Sequence, residues 1–152
     1  MPRKPDLFVL VADATRAELL RRQRGNPPFA TVATFDNPDS RLPDRAFGTE
    51  RPGRAHESVG PRRSAIESRS SPRVRVLAAF ATELAAAIER AVEAGRSTQV
   101  VVAAPPRLLR MIEARLNPEA GEAVTRTVPK DLTRLPRLTL MTRLADELVP
   151  QA

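Results

Sequence analysis

The chain contains no cysteine, which excludes disulfides and thiolate metal centres. It has no tryptophan, no tyrosine and only five phenylalanines, so little is available for stacking bases or sugars. A single histidine, His56, cannot build a conventional histidine metal site alone. Long hydrophobic runs are missing as well. The apolar run near the start, Leu7 to Ala12, is too short for a signal-peptide core or a membrane span. The expectation is a cytoplasmic protein with no membrane partner, no metal, no cofactor and no small-molecule substrate.

What is present is basic. The 152 residues fit one domain, 1–152, and carry a formal charge of +7 in which arginine dominates. Such a surplus on a small domain favours polyanionic partners. A compositional habit of a high-GC genome would produce the same surplus, since the chain is also rich in alanine and proline.

Leu7-Phe8-Val9-Leu10-Val11-Ala12 is a continuous branched run that suits a central strand buried on both faces. Asp13-Ala14-Thr15-Arg16 supplies a turn, and Ala17 to Arg21 reads as a return strand. After a second turn at Arg24-Gly25-Asn26-Pro27-Pro28, the alternating Phe29 to Phe35 reads as a third strand. Short turns between three strands imply an antiparallel meander.

From 36 to 71 the pattern breaks. Only 7 of these 36 residues are apolar, and Pro38, Pro43, Pro52 and Pro61 recur without period. A long flexible, arginine-rich loop is predicted here. Order returns at Ser71-Pro72, a helix cap followed by proline at the first helical position. Val74, Leu77, Ala78, Ala81, Leu84, Ala85, Ile88 and Val92 then repeat at helical spacing up to a stop at Gly95. Gln99 to Ala104 is another buried-strand run. Leu108, Leu109, Ile112 and Leu116 mark a helix ending at Asn117-Pro118, and Glu122 to Val128 is a weaker strand. Pro136 introduces a final helix with Leu138, Met141, Leu144, Ala145 and Leu148 at its apolar positions. The order β-β-β, long basic loop, α-β-α-β-α implies an α/β fold with a five-stranded mixed sheet of ribonuclease H-like arrangement.

Five segments carry a resemblance: Val9-Leu10-Val11-Ala12-Asp13, Asp44-Arg45, Arg51-Pro52-Gly53-Arg54, Val102-Ala103-Ala104-Pro105-Pro106-Arg107 and Val128-Pro129-Lys130-Asp131-Leu132-Thr133. Together, over nearly the whole chain, they resemble the bacterial host attachment protein family. That family is similar in turn to the central domain of archaeal and eukaryotic class I peptide-chain release factors and their relative Pelota. The shared features are the sheet and a long loop leading into a long helix. In release factors that loop carries Gly-Gly-Gln; here the corresponding stretch looks like Gly60-Pro61-Arg62-Arg63-Ser64-Ala65. The glycine pair and the glutamine are absent, and Pro61 has no N–H to donate. The resemblance therefore implies no peptide-release activity.

Between Arg51 and Arg75 lie seven arginines against Glu57 and Glu67. Guanidinium groups pair bidentately with phosphate at any working pH. The resulting expectation is a non-catalytic, translation-associated protein that binds the ribosome or tRNA. Its contacts would be Arg51, Arg54, Gly60, Arg62, Arg63, Arg69 and Arg73. The alternative is a host- or surface-attachment interaction protein with no nucleic-acid role, and a third reading is a hydrolase using His56 beside Glu57 and Ser58. Asp13, at the end of the first strand, has no second acid at the end of the fourth to make a two-metal site. It reads as a turn residue.

Overall fold

The computed structural model describes residues 5–43, 71–95 and 97–148. The apolar run at the start forms β1 (Asp6–Ala12), followed by β2 (Arg16–Arg22) and β3 (Phe29–Asp36). β1 pairs antiparallel with β2, and β2 with β3, as the short turns require. Gly25, in the β2–β3 turn, has φ 93°, a left-handed conformation that glycine adopts without steric cost.

Chain order continues with a short 3-10 turn (Pro38–Arg41), α1 (Pro72–Ala94), β4 (Thr98–Ala103) and α2 (Pro106–Arg115). The chain then forms α3 (Pro118–Ala123), β5 (Val124–Val128), α4 (Arg137–Arg143) and a π-helical turn (Leu144–Leu148). β4 lies parallel to β1 and β5 parallel to β4, so the sheet order is β3-β2-β1-β4-β5. The α/β fold and its five-stranded mixed sheet agree with the sequence reading.

Alternation along β1 divides the core in two. Leu10 and Ala12 face α1 and α2, joining Val100, Val102, Leu84, Ile88 and Ile112. Leu7, Val9 and Val11 face the opposite way, toward Val101, Ala103, Val128, Leu132, Leu140 and Leu144. Both faces are covered, which is why β1 and β4 read as unbroken apolar runs.

α1 begins where the sequence places it. Ser71 Oγ accepts a hydrogen bond from Val74 N at 3.3 Å, and Pro72 occupies the first turn. Ser71→Ala should cost about 1 kcal/mol, the usual worth of such a cap, read as a lower urea midpoint with unchanged slope. Gly95 ends the helix, but with φ −111° it is not left-handed. Its necessity is steric: a Cβ there would collide with Thr98 Oγ1.

Four expectations need correction. The stretch from 36 to 43 is not loop throughout, because β3 runs through Asp36 and Pro38–Arg41 forms a helical turn. Asn37 ties that turn to the β1–β2 turn, its Nδ2 donating to Ala14 O at 2.9 Å and its N to Thr15 O at 2.8 Å. Residues 44–70, the rest of the predicted flexible loop, lie outside the described residues. The fifth strand starts at Val124 rather than Glu122, preceded by α3, which the sequence reading lacks. Asn117-Pro118 both ends α2 and starts α3, with Asn117 Oδ1 accepting from Ala120 N at 2.8 Å. Finally, Leu138, read as an apolar core position, is 83% exposed.

Candidate functional site

At the end of β1 the backbone turns back on itself around a carboxylate. Asp13 Oδ1 accepts from Thr15 N (2.7 Å), Thr15 Oγ1 (2.8 Å) and Arg16 N (2.9 Å), an arrangement that holds the β1–β2 turn closed. The sequence reading of Asp13 as a turn residue agrees. Its other oxygen does more than close the turn. Thr133 Oγ1 lies 2.6 Å from Asp13 Oδ2 and 2.5 Å from Asp131 Oδ1, between the two carboxylates. Asp131 Oδ1 also accepts from Thr133 N at 2.9 Å, which shapes the connection after β5. Arg16 Nη2 donates to Thr133 O at 3.0 Å. The β5–α4 connection is thereby strapped to the first turn of the sheet.

A second tie holds the far end of the strap. Arg137, the first residue of α4, grips Glu18 of β2 with both guanidinium nitrogens, Nη1 to Oε1 at 2.8 Å and Nη2 to Oε2 at 2.5 Å. Nη2 also donates to Thr31 Oγ1 of β3 at 2.8 Å, and the Thr31 hydroxyl donates to Glu18. Bidentate geometry makes this pair stronger than an ordinary surface ion pair. Beyond the ties the chain is anchored by buried side chains, Leu132 just before the first and Leu140 and Met141 just after the second.

The two ties border a cleft of about 470 Å³ whose lining includes Val11, Arg16, Glu18, Thr34, Asp36, Thr133, Arg137 and Leu140. It lies over the antiparallel half of the sheet, with lining residues from β1, β2 and β3 on one side and from the strap and α4 on the other. Among the described residues, no group of three or more His, Cys, Asp or Glu is placed to hold a metal ion. Within the same residues, no helix is long and apolar enough to cross a membrane.

Both tying carboxylates are held below their ordinary pKa. Burial by itself would push Asp13 up, but hydrogen bonds from Thr133, Thr15 and Arg16 together outweigh it. For Glu18 the Arg137 hydrogen bond dominates over burial, assisted by Thr31 and by the charges of Arg137 and Arg16. A depressed folded pKa contributes stability that is complete above the ordinary carboxylate range. That stability is lost as pH falls through the folded value. The urea midpoint should therefore hold from neutrality down to about pH 4 and fall below it. Arg137→Gln should make that acid fall shallower.

The sequence-predicted contact residues do not converge on this cleft. Arg51, Arg54, Gly60, Arg62, Arg63 and Arg69 lie outside the described residues, as does His56 of the hydrolase reading. Arg73 is described, and its guanidinium donates to the carbonyls of Ser40 (3.3 Å) and Leu42 (2.9 Å), tying α1 to the 3-10 turn. Sequence reasoning missed Glu18, Thr133 and Arg137. The available signal was Glu18 itself, an acid between apolar neighbours in a strand, which needs a partner when its face is covered.

A family model described as a protein required for attachment to host cells matches residues 8–144, from β1 to the start of the final turn. No curated protein matches the chain. The family match corrects the expectation of a translation-associated, release-factor-like protein that binds RNA, the ribosome or tRNA. The description concerns attachment to host cells, which is the alternative reading of the sequence. The physical reason for the error is that net positive charge attracts every polyanion and selects none.

Proposed function

We propose, from the premise that the chain belongs to the family of proteins required for attachment to host cells, that it serves attachment as a non-catalytic interaction protein. The observation that carries this reading is the extent of the match. It takes in all of β2 to β5, β1 from Phe8 onward, the strap and both residues of the Arg137–Glu18 clasp. The non-catalytic part is supported by the use of the acids: Asp13 and Glu18 accept hydrogen bonds that fasten one part of the fold to another.

The sheet supports a finer proposal about ancestry. An antiparallel β3-β2-β1 meander continued by parallel β4 and β5, with helices on both faces, supports the reading of a ribonuclease H-like arrangement. The likeness to the central domain of release factors is kept as a proposal about this sheet alone, with no role in translation. We place the protein in the cytoplasm, from where it would support attachment through an intermediary. Surface labelling of intact cells followed by fractionation tests that location.

The test of function is genetic. Cells lacking the gene should attach poorly to host cells, and the wild-type gene should restore attachment. A Thr133→Val, Arg137→Gln double variant, produced at the wild-type level, should restore it less well if the strapped face is used. Normal attachment without the gene would overturn the reading.

A further inference from the structure

Arg16 of β2 and Asp36 of β3 stand directly opposite one another in the sheet register, on the face that carries the cleft. Opposite charges so placed ordinarily pair across the strands, since their Cβ atoms are only about 5 Å apart. Here they do not. The Arg16 guanidinium is drawn toward the strap, with Nη2 on Thr133 O at 3.0 Å and Nε 4.0 Å from Asp13 Oδ2. Asp36 is drawn the other way, its Oδ1 accepting from Arg41 Nη2 at 3.1 Å. Arg16 Nη1 and Asp36 Oδ2 are left without a hydrogen bond among the described residues, on side chains that are 55% and 65% exposed. The neighbouring Glu18 and Arg137 neutralise each other.

We propose that the cleft binds a zwitterionic α-amino acid with an apolar side chain, its carboxylate on Arg16 and its ammonium on Asp36. A simple anion on Arg16 would meet the repulsion of Asp36, and a simple cation the reverse. A ligand carrying both charges, on two groups attached to one carbon, gains from each. Thr34, two residues before Asp36 on the same face of β3, also lines the cleft and offers a hydroxyl as a further polar contact. Val11 and Leu140, part of the cleft lining and almost fully buried, give the side chain an apolar floor. At about 470 Å³ the cleft lies within the size range of small-ligand sites and has room for that side chain. This assignment does not depend on the attachment reading, and it departs from the sequence-based expectation of no small-molecule partner.

The test is titration of the full chain with leucine, followed by amide chemical shifts. Saturable shifts are expected at Arg16, Thr34, Asp36 and Thr133. Leucinamide and N-acetyl-leucine each lack one charge and should bind roughly tenfold more weakly or worse, as should glycine, which lacks the side chain. Asp36→Asn should lose leucine binding to the same degree while keeping its melting temperature, since the bond it weakens is the exposed one to Arg41. Arg16→Gln should lose it too, but that variant also sheds the bond to Thr133, so Asp36→Asn decides. No saturation at tens of millimolar leucine would overturn the assignment. Equal binding of N-acetyl-leucine, or undiminished binding by Asp36→Asn, would do the same.

Discussion

Asp13→Ala should lower the free energy of unfolding by about 3 kcal/mol, a large loss for the removal of one carboxyl group. The side chain accepts four hydrogen bonds, two from the backbone amides of Thr15 and Arg16 and two from the hydroxyls of Thr15 and Thr133. Alanine leaves both amides of this part-buried turn without their acceptor, and it frees one end of the strap. Asp13→Asn separates these contributions. Asparagine keeps an oxygen for the two amides and gives up the charge and the acceptor facing Thr133, so it should cost only about 1 kcal/mol. Urea unfolding of both variants measures the difference. Equal, small losses would mean that the turn closes without Asp13. A cycle with Thr133→Val should show coupling, because the two residues share a bond.

That bond also marks the boundary of what the sequence could say. β1 and β4 were legible because strands buried on both faces leave continuous branched runs, and α1 because its buried stripe repeats at helical spacing. α3 was not legible: in Pro118–Ala123 only Ala120 is buried, so there is no apolar period to detect. The cleft is assembled from contacts across the length of the chain. Asp13 and Thr133 are 120 residues apart, and Glu18 and Arg137 are 119 apart. No local spacing encodes such pairs. Asp13 was read correctly as a turn residue because that role involves only its neighbours, whereas its bond to the strap is invisible without the fold. The basic segment invited the opposite mistake. Its arginines stand out in the sequence, yet Arg73, the one expected contact among the described residues, spends its guanidinium on carbonyls of the chain itself.

Leu84→Ala should cost about 3 kcal/mol, and Leu138→Ala no more than about 0.5 kcal/mol in either direction. Both leucines sit in helices at positions that a hydrophobic pattern marks as inward. Leu84 is fully buried among Leu10, Val100, Val102 and Ile88, between α1 and the sheet, so removing its branch opens a cavity that rigid neighbours on three elements cannot close. Leu138 follows Arg137 at the start of α4, where the side chains that meet the sheet are Leu140, Met141 and, beyond the helix, Leu144. The Arg137–Glu18 clasp and the burial of Leu140, Met141 and Leu144 set the orientation of the helix together. With the helix turned so that Arg137 reaches β2 and Leu140 the core, Leu138 is left at 83% exposure. Thermal and urea unfolding of the two variants test this account of α4 directly. A loss at Leu138 comparable with that at Leu84 would mean that α4 is seated by its leucine and not by its arginine.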